Sequence, residues 1–206
     1  MKLQHIALAL LSAMTTVAVA APAGTWTIGA GVAHVDPKSN PDPKSNPDDK
    51  FDIRGLTVDK DIRPSVTFEY FPVKNVGVEL LAAAPFHHDI NINNQYAGKT
   101  QQLPPTLSLQ YHFDNGGKVV PFIGAGVNYT TFFKERLHNP QADLKIGDSW
   151  GAAGHVGVDF KFTDRDAVRL DARYIDLKTN VKVNGNSVGE LNLSPWVYGV
   201  SFVKTF

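Results

Sequence analysis

Acid–base, nucleophilic or metal chemistry in this chain must come from its seven histidines, its hydroxyls and its carboxylates, because it contains no cysteine. Thiol nucleophiles, disulfides and cysteine-type zinc sites are thereby excluded. The densest candidate is His87-His88-Asp89, and a second is the pair Ser108 and His112. A hydrolytic constellation needs its members within hydrogen-bond reach. On a strand, successive side chains point to opposite faces, so His87, His88 and Asp89 do not converge. Ser108 and His112 share a face but stand four residues apart, roughly 13 Å along a strand, too far to pass a proton. No catalytic residue is assigned, and the chain is read as a non-enzyme. His87 and His88 are read as solvated loop histidines, so neither a metal nor a cofactor is expected.

A third set of groups is more telling. Glu69, Glu79, His112, Asp159, Lys161, Arg169, Asp171 and Arg173 lie in segments where apolar and polar residues alternate. Period two marks a strand with two unlike faces. Four carboxylates, three cations and a histidine can neutralise one another only if something brings those strands around a common interior. The elements that would do so can be read in order.

The chain has 206 residues, one domain's worth, with 20 Lys and Arg against 20 Asp and Glu. Balanced charge with no basic patch gives no sign of a nucleic-acid partner. Lys2, the apolar run from Ile6 to Val19 and the small residues Ala18-Val19-Ala20 form a secretory leader, with the cut expected after Ala20. Residues 21–206 then form the single mature domain. Its mean hydropathy is slightly negative, as in a barrel whose apolar residues are diluted by alternating lumen residues.

Eight strands are expected: Thr25–Val35, Ser65–Tyr70, Val76–Phe86, Thr106–Phe113, Val119–Phe133, Trp150–Phe162, Ala167–Lys178 and Leu193–Phe206. The connections alternate strictly in length. Residues 36–61, 87–102, 134–148 and 179–192 are long polar loops; 71–75, 114–118 and 163–166 are short turns. The first long loop contains the hexad Pro37-Lys-Ser-Asn-Pro-Asp42, repeated as Pro43–Asp48, which reads as a solvated insertion. An even strand count, short turns at one end and long loops at the other describe an outer-membrane barrel. The fold class expected is all-β, an eight-stranded antiparallel up-and-down transmembrane β-barrel, with both termini in the periplasm. The last strand agrees. Trp196, Tyr198, Val200, Phe202 and the terminal Phe206 share one face, as an aromatic-girdled face toward lipid would. Lys204 is the one departure on that face.

Five blocks, Glu79–His87, Leu103–Leu107, Pro121–Phe133, Asp148–Asp159 and Ser194–Trp196, resemble the OmpW family of outer-membrane proteins, which includes the AlkL-type alkane-uptake proteins. The Pro-rich repeat looks unlike that family. The resemblance implies an eight-stranded barrel that passes small hydrophobic molecules, and also a surface used as a bacteriocin or phage receptor. A non-conducting receptor or adhesin barrel is the alternative function. The implied partners are outer-membrane lipid and lipopolysaccharide, a small hydrophobic ligand, and the outer-membrane assembly machinery through Phe206.

The outward register fixes the inward one. Near the short turns, the eight charged and histidine residues named above form a floor. Near the long loops, the same register places Val35, Leu81, Ala83, Pro85, Pro104, Phe132, Ala153, Ile175, Leu177 and Val197 in an apolar upper lumen, joined by Ala33, Gly151 and Pro195. Eight strands enclose little more than their own side chains, so a general aqueous pore is excluded. Pro85, Pro104 and Pro105 remove ladder donors at the tops of the third and fourth strands, where they either open the wall laterally or merely end the strands.

Overall fold

The computed structural model describes residues 22–38, 40–43, 56–92, 95–137 and 144–206. The expected leader, 1–20, and most of the second hexad lie outside these residues. The described strands are β1 (Trp26–Asp36), β2 (Asn40–Pro43), β3 (Leu56–Val58), β4 (Asp61–Val73), β5 (Val76–Ala83), β6 (Phe86–Ile92), β7 (Gln95–Leu103), β8 (Thr106–His112), β9 (Val119–Leu137), β10 (Leu144–Ile146), β11 (Ser149–Lys161), β12 (Asp166–Ile175), β13 (Lys178–Val183), β14 (Asn186–Asn192) and β15 (Trp196–Thr205). Eight of them close into an antiparallel barrel in the order β1, β4, β5, β8, β9, β11, β12, β15. The ring shuts where β15 lies against β1, from Thr27 opposite Thr205 to Asp36 opposite Trp196. Closure leaves no barrel edge, which is what lets a sheet sit in hydrocarbon with its backbone groups paired.

The outer face is inverted relative to a soluble protein. Ile28, Val32, Val66, Leu80, Leu107, Leu109, Ile123, Val127, Val156, Leu170 and Val200 are all exposed. Aromatic rings border this band at both heights. At the short-turn end Trp26 stacks on Phe206 at 4.3 Å, and Phe162 lies 5.8 Å from Phe202. At the other end Tyr129 meets Trp150 at 4.9 Å, and Tyr174 meets Trp196 at 5.3 Å. Trp150 is 72% exposed, an exposure that a lipid interface makes favourable. Lys204 is explained by a neighbour: its Nζ lies 3.0 Å from Asp166 Oδ1 on β12, so the charge is paired at the short-turn end.

The long connections differ from the expectation. Residues 87–102 are largely a hairpin: β6 pairs with β7, and β7 then pairs with the far end of β9. Residues 179–192 form a second hairpin, β13 with β14, closed by Asn184 and Gly185 at φ 50 and 80. Those positive angles suit a two-residue hairpin turn, the use for which Asn-Gly is selected. Part of the first Pro-rich hexad is also strand. Asn40–Pro43 lies against β14 at the rim of a four-stranded sheet ordered β10, β13, β14, β2. Prolines are tolerated there because an outermost strand need not donate on both sides. Val181, Val183, Val188 and Leu191 are buried. They show why this polar-looking loop became strands: the β13–β14 hairpin has one apolar face, diluted by Lys, Asn and Gly on the other, whereas the buried face of β6–β7 mixes Phe86 and Ile90 with His88, Thr100 and Gln102.

Candidate functional site

The lower lumen is a charge network centred on Arg169, which is 2% exposed. Its Nη1 is 2.7 Å from Glu79 Oε2, its Nε 2.7 Å from Asp159 Oδ1, and its Nη2 3.1 Å from Glu69 Oε2. Phe122 lies beneath the guanidinium, 4.6 Å from ring centre to Cζ. Arg173 Nη2 donates to Glu79 Oε1 at 2.7 Å, and His112 Nε2 lies 2.8 Å from Glu69 Oε1. Asp171 is bound not by an arginine but by His155, whose Nε2 is 3.2 Å away. Gln110 Nε2 and Arg173 Nη2 both approach His155 Nδ1, at 3.2 and 3.1 Å. Two donors at Nδ1 leave the proton on Nε2, so that nitrogen donates to Asp171. Lys161 stands apart and pairs with Asp114. Neighbouring strands leave room for these groups by carrying glycine. A Cβ at Gly77 would overlap Glu69 Oε1, and one at Gly199 would overlap Asp171 Oδ1.

The upper lumen is of another kind. Ala33, Val35, Phe132, Ala153, Ile175, Leu177 and Val197 belong to one apolar cluster, with Ala83 packed against it. The hairpins extend that cluster beyond the barrel through Phe86, Ile90, Leu144, Ile146, Val181 and Leu191. Leu81, Pro85, Pro104 and Gly151 are half-buried, while Pro195 is buried. Within the cluster is a small cleft with about 20 Å³ of free space, lined by Val58, Ile90, Phe132, Leu144, Ile146, Leu177 and others. Most of its walls come from β6, β7, β10, β13 and β14, not from the barrel strands to which the sequence reading confined it.

Between these regions the wall is interrupted. Leu81 opposite Thr106 is the last pair of β5 with β8, and Phe86 opposite Gln102 begins the pairing of β6 with β7. Ala82–Pro85 and Leu103–Pro105 have no such pairing with each other. On its other side the chain stays against β4, with Ala84 N donating to Pro64 O at 2.9 Å. Asn128 on β9 compensates: its Nδ2 lies 3.1 Å from Pro104 O, 3.1 Å from Pro105 O and 3.0 Å from Thr106 Oγ1. Pro105 O also accepts from Tyr129 N at 3.1 Å, so it is the Pro104 carbonyl that depends on this buried amide.

The sequence model of the OmpW family matches residues 22–206. The chain belongs to the OmpW family. It is 37% identical over 207 residues to outer membrane protein W of Escherichia coli (strain K12), covering 96% of this chain and 95% of that protein. Among solved structures it resembles the outer membrane protein OprG from Pseudomonas aeruginosa, with a TM-score of 0.79 and 31% identity over 91% of this chain and 98% of that one. Outer membrane protein AlkL of Ectopseudomonas oleovorans is 27% identical, covering 61% of this chain and 56% of that protein. The fold is therefore that of OmpW-type outer-membrane barrels.

Within this OmpW-family chain, the block Pro121–Phe133 supplies Phe122, Asn128 and Phe132 to the floor, the wall and the upper lumen in turn. Phe122, Asn128, Gln110 and His155 were missed as site residues by sequence reasoning. His155 shares the inward register of Ala153 and Asp159, so periodicity alone could have placed it. The hydrolytic arrangement does not form. Ser108 Oγ has no hydrogen-bond partner among the described residues, and His112 is held by Glu69. His87 and His88 do take opposite faces, but only His87 is solvated: His88 is buried in β6, not in a solvated loop, because these residues form a strand whose alternate side chains face inward. Among the described residues no group of three or more His, Asp or Glu side chains is placed to hold a metal.

Proposed function

We propose that this barrel is a conduit for small hydrophobic molecules. The long connections face the outside and both termini face the periplasm. A molecule enters at the long-connection end, rests among Val35, Phe132, Ala153, Ile175, Leu177 and Val197, and leaves sideways between Pro85 and Pro104–Pro105 into lipid. The observation that carries this reading is the coincidence of an interrupted wall with a blocked floor. The passage downward meets Glu69, Glu79, Asp159, Arg169 and Arg173 locked to one another, and an apolar solute cannot replace those bonds. The passage sideways meets a stretch where Ala82–Pro85 and Leu103–Pro105 share no ladder bonds, and where the Pro104 carbonyl is satisfied from behind by Asn128. The family's association with hydrophobic solutes supports the same direction. Lipid and lipopolysaccharide are the surroundings of the outer face, and Phe206 is the feature offered to the assembly machinery.

The test is uptake of n-octane by cells with and without the protein, alongside Leu81→Lys and Ala153→Trp. Either variant should reduce uptake to the level of cells lacking the protein while leaving the barrel folded. Uptake that survives both variants contradicts the conduit and leaves a non-conducting barrel that serves as a receptor or adhesin surface.

A further inference from the structure

The two sheets at the long-connection end place charge on their solvent faces in opposite ways. On β6–β7, exposed Asp89 stands directly opposite exposed Lys99, so that rung satisfies itself. On β10–β13, Lys145 stands directly opposite Lys182, and both are exposed. Like charges directly across a strand pair are destabilising. Lys178 lies on the same face of β13, with Asn180 between it and Lys182. None of these three lysines forms an ion pair among the described residues. Three carboxylates share or border the face. Asp148 accepts from the Tyr129 hydroxyl at 2.8 Å, Asp176 receives the Ser194 hydroxyl at 3.4 Å, and Glu190 stands opposite Asn180. The lysine pair therefore offers two adjacent, uncompensated positive charges to whatever lies outside it.

Its height says what that is. Buried and outward residues alternate without a break from Arg173 to Val183, so Tyr174, Asp176, Lys178, Asn180 and Lys182 form one outward column. Tyr174 packs on Trp196 at 5.3 Å in the aromatic border of the lipid-facing band. At about 3.3 Å per residue, Lys178 is roughly 13 Å and Lys182 roughly 26 Å along the strand from that border. A phospholipid carries its charge at the border itself, below both lysines. An amphiphile whose anionic groups continue outward along a sugar head meets them. We infer that the outward face of β10–β13 binds the phosphorylated, acidic inner sugars of lipopolysaccharide, Lys145 and Lys182 together holding a phosphate and Lys178 an anionic group nearer the lipid. This rests on the outward orientation of the long connections given under the proposed function, and not on the passage of a solute.

The experiment titrates the full chain in phosphatidylcholine nanodiscs with the deacylated core oligosaccharide of a rough lipopolysaccharide, following amide shifts. The comparison probes are the same oligosaccharide stripped of its phosphates, and inorganic phosphate. The intact oligosaccharide should shift Lys145, Lys178 and Lys182. Lys145→Gln combined with Lys182→Gln should weaken it about tenfold, the factor expected for two exposed charge contacts, whereas Lys99→Gln on the other hairpin should change affinity less than about twofold. The phosphate-free form should bind the unaltered chain about tenfold more weakly, and inorganic phosphate at the same concentration should move none of the three lysines. If the double variant does not fold, the two oligosaccharides on the unaltered chain decide the matter. Equal binding of the two, an equal loss in Lys99→Gln, an equal response to inorganic phosphate, or no shift in β10 and β13 overturns the inference. The chain has no cysteine, so Lys182→Cys reports its own side of the membrane, and it should react with an impermeant maleimide on intact cells. Labelling only after lysis refutes the orientation and this inference together. Labelling on intact cells without n-octane uptake removes the conduit and leaves the sugar site standing.

Discussion

At the short-turn end Arg169 holds Glu69, Glu79 and Asp159 within 3.1 Å, while at the other end Ile90, Phe132, Leu144 and Leu177 pack side by side around a cleft. Both regions are buried and both fill a barrel of the same strand number, but they resist intrusion differently. A buried ion network is directional and saturated. Opening it leaves charges unpaired in a poor dielectric, so it behaves as a wall. Dispersion contacts between aliphatic groups are individually weak, and an apolar guest replaces them with contacts of the same kind. One barrel can therefore be closed below and receptive above without any moving gate, provided the guest has a third direction to leave by. In the proposed conduit, the interrupted pairing beside Pro85 and Pro104 is that direction.

The contrast can be broken most severely at its lower half. Arg169→Met leaves three carboxylates around an apolar side chain and should cost about 3–5 kcal/mol, read as a shift in the urea midpoint of the barrel in detergent micelles. A loss below ~1 kcal/mol would mean that water already reaches the floor. Asn128→Leu removes the amide that serves Pro104 and Pro105. It should cost about 1–3 kcal/mol and speed amide exchange at residues near 103–106, with little change at Arg169. Acidification sharpens the upper half. Burial holds His88 below its ordinary value of 6.5, so the folded hairpin favours the neutral ring. The stability this contributes is complete above pH 6.5 and declines as pH falls below it. Amide exchange in β6 and β7, corrected for its intrinsic pH dependence, should rise relative to β13 and β14 below that point. The smallest effect is expected at Lys204→Met. Asp166 is half-buried, but its partner Lys204 is exposed. Losing the lysine should leave the unfolding midpoint unchanged within error, because an exposed ion pair adds little to stability.

How far these regions were legible in the sequence follows from how local their signals are. Alternation reports which side of a strand a residue faces, so Trp26, Val66, Phe68, Leu107 and Phe202 declared the lipid face, and the inward register followed. The floor residues were legible for the same reason, but not their partners. Nothing near Asp171 in the sequence points to His155, and the Glu79–Arg169 bond spans ninety positions. The β13–β14 hairpin was misread because Lys, Asn and Gly on its solvent face masked the apolar face of Val181, Val183 and Leu191. Asn128 was invisible for a different reason. Its role is defined by carbonyls more than twenty residues away, which exist as a problem only once the chain is folded and the ladder is interrupted.

The central claim is that a hydrophobic guest reaches the upper lumen and the wall gap but not the floor. It is tested most directly by amide chemical-shift mapping of the chain in lipid nanodiscs during titration with n-octane. Shifts should appear at Ile90, Phe132 and Leu177 and continue through Ala83, Leu103 and Thr106, with Glu69, Glu79, Asp159 and Arg169 unmoved. Shifts running down through Arg169 to Lys161 and Asp114 would contradict the account, as would an upper lumen that does not respond at all.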